Sequence, residues 1–221
     1  MRVVWFADRA TAAIALGTAV VAAVGLAVSI WYVLPRNADQ DRTNGVDGSR
    51  SPAEPTVAVT TTFAASADTY VQVDTATTNY GTSPQFVVDG SPVRRSFLRF
   101  TVAGLAGPVT RAVLRVHTIS DNTGSTSGGT WQALADTTWS ETAATWNDQP
   151  EIDGVSVGGL GSVTRSTWYE IDVTPVVQGN GTFSIAGTST SEDGAYFDTR
   201  ESGANGPQLV VTTVTTRTSE P

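Results

Sequence analysis

Two hydrophobic patterns follow one another along the chain. From Ala10 to Leu34 no residue is charged, and the apolar positions run on without a period of two. Those 25 residues would make a helix of about 37 Å, against a hydrocarbon core of about 30 Å. The stretch therefore predicts one membrane-spanning helix, with Trp31 and Tyr32 at its far end, where aromatic belts form, and Pro35 closing it. A cleaved signal sequence is the competing reading, with Ala27-Val28-Ser29 as its small-residue cleavage site. The apolar run continues through Ile30–Leu34, which favours a retained anchor. Arg2 and Arg9 precede the segment and Arg36, Arg42 and Arg50 follow it, so the count of positive charges does not set its orientation.

From Ala65 onward the pattern changes to short runs of Val, Thr and aromatic residues between Gly, Asn, Asp and Pro clusters. The runs are Thr69–Asp74, Gln85–Asp89, Ser96–Val102, Val109–Ile119, Thr130–Ala135, Thr167–Val173, Thr182–Thr188, Ala195–Thr199 and Gln208–Val214. Period-two alternation bounded by turn residues predicts strands, and nothing of length carries a helical period. In Ser96–Val102 the better core set is Leu98, Phe100 and Val102; in Arg111–Ile119 it is Ala112, Leu114 and Val116. That places Phe97, Arg99, Arg115 and His117 outside the main core. With no crossover helices, parallel α/β folds are excluded. The expected fold is all-β, a two-sheet antiparallel β-sandwich of the jelly-roll kind, preceded by one transmembrane helix and a disordered linker. The expected division is 1–34 anchor or signal sequence, 35–64 linker, 65–214 sandwich and 215–221 tail.

Composition sharpens this picture. The 34 Thr and 28 Val among 221 residues favour strands. There is no Cys and a single His, which removes disulfides, thiolate chemistry, zinc fingers and a three-histidine metal site. The net charge of −8 argues against a nucleic-acid partner. All 13 basic residues are Arg, and five of them fall between Arg94 and Arg115, where no acidic residue lies between Asp89 and Asp121.

Several strings stand in a recurring order: Ala67-Asp68-Thr69-Tyr70-Val71, Asn79-Tyr80-Gly81, Arg95-Ser96-Phe97-Leu98-Arg99-Phe100, Trp139-Ser-Glu-Thr-Ala-Ala-Thr-Trp146-Asn147-Asp-Gln-Pro150, Tyr169-Glu-Ile-Asp172-Val173-Thr174, Phe197-Asp-Thr-Arg200-Glu201 and Pro207-Gln-Leu-Val-Val. Over about residues 65–214 their order and spacing resemble the DNRLRE-type domain, the group that includes carbohydrate-binding module family 96. The resemblance implies a jelly-roll module of secreted and surface proteins that binds acidic polysaccharide such as alginate. The loop Asp121–Gly129 departs from the pattern, and here the anchor stands where an enzyme domain often accompanies such modules.

The candidate ligand-binding residues are Arg99, Arg115, His117, Tyr80, Trp131 and Tyr196. Guanidinium forks suit carboxylates bidentately, and exposed aromatics can stack on the apolar face of a sugar. Each has a bland alternative: Arg99 and Arg115 as structural pairs with Asp68, Asp172 or Glu201, the aromatics, with Trp139 and Trp168, as core. Arg94 and Arg95 read as solvated, Trp146 as a turn anchor and Arg200-Glu201 as a structural pair. Asp68 and Asp148, with Asp153, are candidate ligands for one structural Ca²⁺, which takes six to eight oxygens. His117 shows no orienting carboxylate in the sequence. Glycoside hydrolysis by a pair such as Asp193 and Asp198, or elimination by His117 with Arg115, remains a competing enzymatic reading. A structural or adhesive domain without sugar affinity is another. The favoured reading is a non-catalytic carbohydrate-binding module, extracellular on a single-pass membrane anchor, or secreted if the N-terminus is cleaved.

Overall fold

The computed structural model describes residues 28–32, 55–121 and 124–216. The described residues form eleven strands: β1 (Val28–Tyr32), β2 (Thr56–Gln72), β3 (Gln85–Gly90), β4 (Val93–Val102), β5 (Val109–His117), β6 (Thr130–Leu134), β7 (Ser156–Gly159), β8 (Trp168–Asp172), β9 (Gly181–Thr188), β10 (Ala195–Asp198) and β11 (Gln208–Thr216). Two short 3₁₀ turns, Val73–Thr75 and Arg200–Asn205, are the only helical segments among the described residues.

All pairings are antiparallel, and one hydrogen-bonded path runs β7-β6-β9-β4-β2-β11-β5-β8. The expected all-β, antiparallel sandwich is seen with its layers hydrogen-bonded into one continuous sheet folded on itself. The fold turns on β2. Its first half, through Ala64, pairs with β11, and its second half, from Ala65, pairs with β4, with a register shift between Ala65 and Ala67. A bulge there bends the strand and re-aims its edge, so one 17-residue strand serves both halves of the sheet. The hairpin partner β3 pairs with β4 and carries β10 on its other edge.

The inner faces meet as the alternation predicts. Leu98 and Phe100 from β4 and Ile185 from β9 join Leu114 and Val116 from β5, Leu209 and Val211 from β11, and Phe86, Val88 and Phe197, all fully buried. Burying each such side chain contributes about 1.5–3 kcal/mol. Phe97 does lie outside this core, but it is not exposed. With Ala67, Val71, Leu134, Trp139 and Ala186 it forms a second buried cluster on the opposite face of the β4–β9–β6 layer, covered in part by Trp146 and Ile152. The segment carrying Trp139 and Trp146 thus roofs one outer face.

Three boundaries differ from the sequence reading. The run Thr56–Ala64, assigned to the linker, is the first half of β2, because its Thr and Val side chains find a ladder in β11. The tail enters the sheet as far as Thr216. Val28–Tyr32, read as the end of a helix, is a strand paired with Val57–Thr61 of β2. The rest of the expected anchor, residues 35–54 of the linker and residues 217–221 of the tail lie outside the described residues. Among the described residues no helix is long and apolar enough to cross a membrane.

Candidate functional site

The outer face of β4, β9 and β6 holds an open groove of about 420 Å³. Val93 and Arg95 from β4, Gln132 from β6, Thr188 at the end of β9 and Ile152 from the roofing segment line it. Arg95 and Gln132 reach the same face because each stands opposite a residue of the second cluster: Arg95 opposite Val71, Gln132 opposite Ala186. The Arg95 guanidinium lies over the Trp146 ring, 4.7 Å from its centroid, and donates to Gln149 Oε1 at 3.2 Å. Trp146 fixes the plane of the guanidinium, and Gln149 takes one edge without neutralising its charge.

The other arginines of the Arg94–Arg115 run are engaged differently. Arg94 sits 3.5 Å from Asp89 and donates to Gln72 and to the Tyr196 hydroxyl, each at 2.9 Å. Arg99 donates to the carbonyls of Trp139 at 2.5 Å and Thr137 at 3.5 Å, with its guanidinium 5.2 Å from the Trp139 ring centroid. It ties the roofing segment to β4, and its partners are carbonyls and a ring rather than the expected carboxylates. Arg111 and Arg115 share Glu170, at 3.5 and 3.3 Å. Among the described residues, Arg95 is the guanidinium of this run whose contacts include neither a carboxylate nor a backbone carbonyl. Sequence reasoning set it aside as solvated; the nearby signal was the Trp146-Asn-Asp-Gln149 string.

A second polar group lies on the outer face of β5 and β8. Glu170 stands opposite Arg115 and Trp168 opposite His117. Arg115 lies over the Trp168 ring at 4.6 Å and donates to Gln208 Oε1 at 3.1 Å. His117 Nδ1 is 2.7 Å from Asp198 Oδ2, and its ring is tilted against Trp168 at 5.0 Å. The carboxylate that the sequence did not reveal is therefore Asp198, 81 residues on, placed beside β5 by the bridge between Thr118 and Phe197. Its proposed catalytic partner Asp193 instead accepts from the Thr126 N–H at 2.8 Å.

The aromatics divide. Trp131 is 0 % exposed, edge-on to Phe86 and Phe197, with its Nε1–H donated to the Gly128 carbonyl at 3.2 Å. It cannot stack on a sugar; its alternation in β6 turns it into the core while Gln132 faces out. Trp139 is likewise buried and donates to Ser184. Tyr80 is half-buried, stacked on Tyr70 at 4.2 Å and bonded to the Thr75 hydroxyl at 2.8 Å. Tyr196 is half-buried beside Arg94, whose guanidinium lies 5.9 Å from its ring centroid.

Asp68 is 1 % exposed. Its Oδ2 accepts from the Arg200 N–H at 2.8 Å, while Oδ1 is buried without a hydrogen-bond partner. Burial pushes its carboxyl up to about 7, partly opposed by the Arg200 N–H and reinforced by Glu201 and Glu141. Asp148 is exposed in the Thr145–Asp148 turn. Among the described residues no three His, Cys, Asp or Glu side chains converge as a metal site. The raised value means that the Asp68 carboxyl holds a proton more readily than an ordinary aspartate.

The Asn79-Tyr80-Gly81 and Trp139–Pro150 strings meet next to this carboxyl. Asn79 Nδ2 donates to the carbonyls of Glu141 at 2.8 Å and Ala144 at 2.7 Å. A Cβ on Gly81 would lie 2.1 Å from the Glu141 carbonyl oxygen, so only glycine allows that approach. Glu141 Oε1 in turn accepts from the Asp68 N–H at 2.8 Å. The sequence strings are thus the clamps that hold the roof over the second cluster.

No curated protein matches the chain. The model of carbohydrate-binding module family 96 matches residues 59–213, well over half of the sequence and nearly all of the described sheet. With its motifs engaged in this way, the chain belongs to carbohydrate-binding module family 96.

Proposed function

We propose that the chain is a non-catalytic module that binds acidic, uronate-type polysaccharide in the groove beside Arg95. One observation carries the reading: a planar guanidinium, held over Trp146 and unpaired with any carboxylate, borders an open polar groove. A uronate carboxylate supplies the missing partner through charge-assisted hydrogen bonds. Gln132 and Thr188 offer hydrogen bonds to hydroxyls, and Val93 and Ile152 offer apolar surface to ring C–H groups. A shallow, open groove suits a polymer that continues past both ends.

The same reading places the module outside the cell on its N-terminal segment. With Val28–Tyr32 paired to β2, the uncharged stretch before it is Ala10–Ala27. Its length as a helix is about 27 Å, close to the thickness of the hydrocarbon core.

The test is affinity for a polyuronate against a neutral glucan, using the full chain in non-ionic detergent. Polyuronate should bind more tightly, and the preference should shrink as added salt shortens the Debye length below about 8 Å. Arg95→Ala should weaken binding by the folded protein by about 1.5–3 kcal/mol. Equal affinity for both polymers would overturn the reading.

A further inference from the structure

We infer that a second acidic-glycan site lies on the opposite outer face, around Arg111, Arg115 and Trp168, so that one module holds two polymer chains at once. The inference rests on the reading of the Arg95 groove as an acidic-glycan site. Arg95 lies on the side of β4 away from Leu98 and Phe100, and Arg115 on the side of β5 away from Leu114 and Val116. Those four apolar residues share one core, so the two guanidinium groups face outward in opposite directions.

The second face brings two guanidinium groups together. Arg111 and Arg115 share Glu170, at 3.5 and 3.3 Å, with Asp172 beside Arg111 on the same strand face. Arg115 Nε is buried yet makes no hydrogen bond, because the Glu170 oxygen beside it is near enough to attract but off the N–H direction. Glu170 is half exposed, at 51 %, and Arg111 more so, at 60 %. An exposed, poorly aligned pair of this kind is weak, and an incoming carboxylate that meets both forks displaces it. Trp168 lies under Arg115 and is braced by His117, whose Nδ1 is held by Asp198. Its ring offers apolar surface next to the charge, as a uronate requires. The other polar group against Arg115 is the neutral Gln208; the titratable groups around the two arginines are Glu170, the His117–Asp198 pair and Asp172, which lies next to Arg111.

Two sites on opposed faces raise avidity for a dense polymer matrix and cross-link it. The experiment is calorimetric titration of the full chain in non-ionic detergent with a short oligouronate, too short to reach round the module. Turbidity with the long polymer is followed in parallel. Two oligomers should bind per chain, and the long polymer should cross-link. Arg95→Ala and the double variant Arg111→Ala/Arg115→Ala should each leave one site and abolish cross-linking. Glu170→Gln, which removes the internal competitor, should tighten the second site severalfold and guards against misreading an unfolded double variant. One oligomer per chain, lost with Arg95→Ala and unaffected by Glu170→Gln, overturns the second site and leaves the groove. One oligomer lost only with the double variant overturns the groove and the bivalence but leaves the outer site. No binding overturns both.

Discussion

The backbone N–H of Arg200 donates to Oδ2 of Asp68 at 2.8 Å across 132 residues of sequence, while the second oxygen of that carboxyl is buried and unpartnered. Such a group resists ionisation, since an unpaired charge out of water is costly. With its folded-state value raised from 3.8 to about 7, the folded protein holds a proton that the unfolded chain releases. Stability from this group is fully present below pH 4 and is lost as pH rises to about 7. At about 1.4 kcal/mol per tenfold change in proton affinity, the loss is on the order of 4 kcal/mol. Asp136 and Asp172 are held below the ordinary range by hydrogen bonds from Thr138 and Thr174, and act in the opposite sense only at more acid pH. Thermal melts between pH 4 and 8 should therefore show falling stability. Asp68→Asn, which keeps an acceptor for the Arg200 N–H and carries no charge, should flatten the slope and melt higher at pH 8. An unchanged slope in the variant would assign the pH dependence elsewhere.

Arg99 should prove a structural arginine. Its guanidinium binds the Trp139 and Thr137 carbonyls of the roofing segment. Arg99→Ala should cost about 1.5–3 kcal/mol of stability, the range for hydrogen bonds to a charged group. Uronate affinity of the folded fraction should stay within a factor of two. Denaturant melts read beside binding isotherms check it; lost affinity at full stability would return Arg99 to the ligand.

Trp131→Ala should destabilise by about 3–5 kcal/mol, as for other large-to-small changes at fully buried aromatics. Trp131→Phe should recover most of that, though the Gly128 carbonyl loses its donor. Sugar binding by the folded Phe variant should be normal. Loss of binding without loss of stability would contradict the packing of Trp131 against Phe86 and Phe197.

The N-terminal segment gives a fourth expectation. The full-length chain expressed with its own N-terminus should stay with membranes after an alkaline carbonate wash, because Ala10–Ala27 is uncharged and long enough to span. Recovery of a soluble mature chain beginning near Val28 would show a cleaved signal sequence instead.

Local pattern made much of the sheet legible. Each of the nine sequence runs overlaps one of the strands from β2 to β11, and alternation chose the inward set on β4 and β5 correctly, because a half-buried strand must present every second residue to the core. β7 was not legible: Ser156-Val157-Gly158-Gly159 reads as a turn and is a strand only through its pairing with β6. The first half of β2 was lost for the opposite reason, its Thr-rich run merging into a polar stretch that gave no boundary. Side-chain partners were hidden most of all. Asp198 reaches His117, Gln149 reaches Arg95 and Arg200 reaches Asp68 through strand order, which no spacing in the sequence encodes. Phe97 shows the limit of alternation: the pattern said which side of β4 it faces, but not that a segment some forty residues later would cover that side.

The length of β2 bears on how the module would carry mechanical load. Thr56–Ala64 pairs in register with Gln208–Thr216, so the strand that opens the family domain lies against the last strand of the described residues. A pull on the chain before Thr56 runs along β2, at right angles to the hydrogen bonds of that ladder. The bonds are then sheared together instead of parting one after another. Beyond Ala64 the same strand continues into β4, beside Arg95 and the groove. Tension between a tethered N-terminus and a captured polymer would thus travel through one unbroken strand, and the module should give way only when the whole ladder slips.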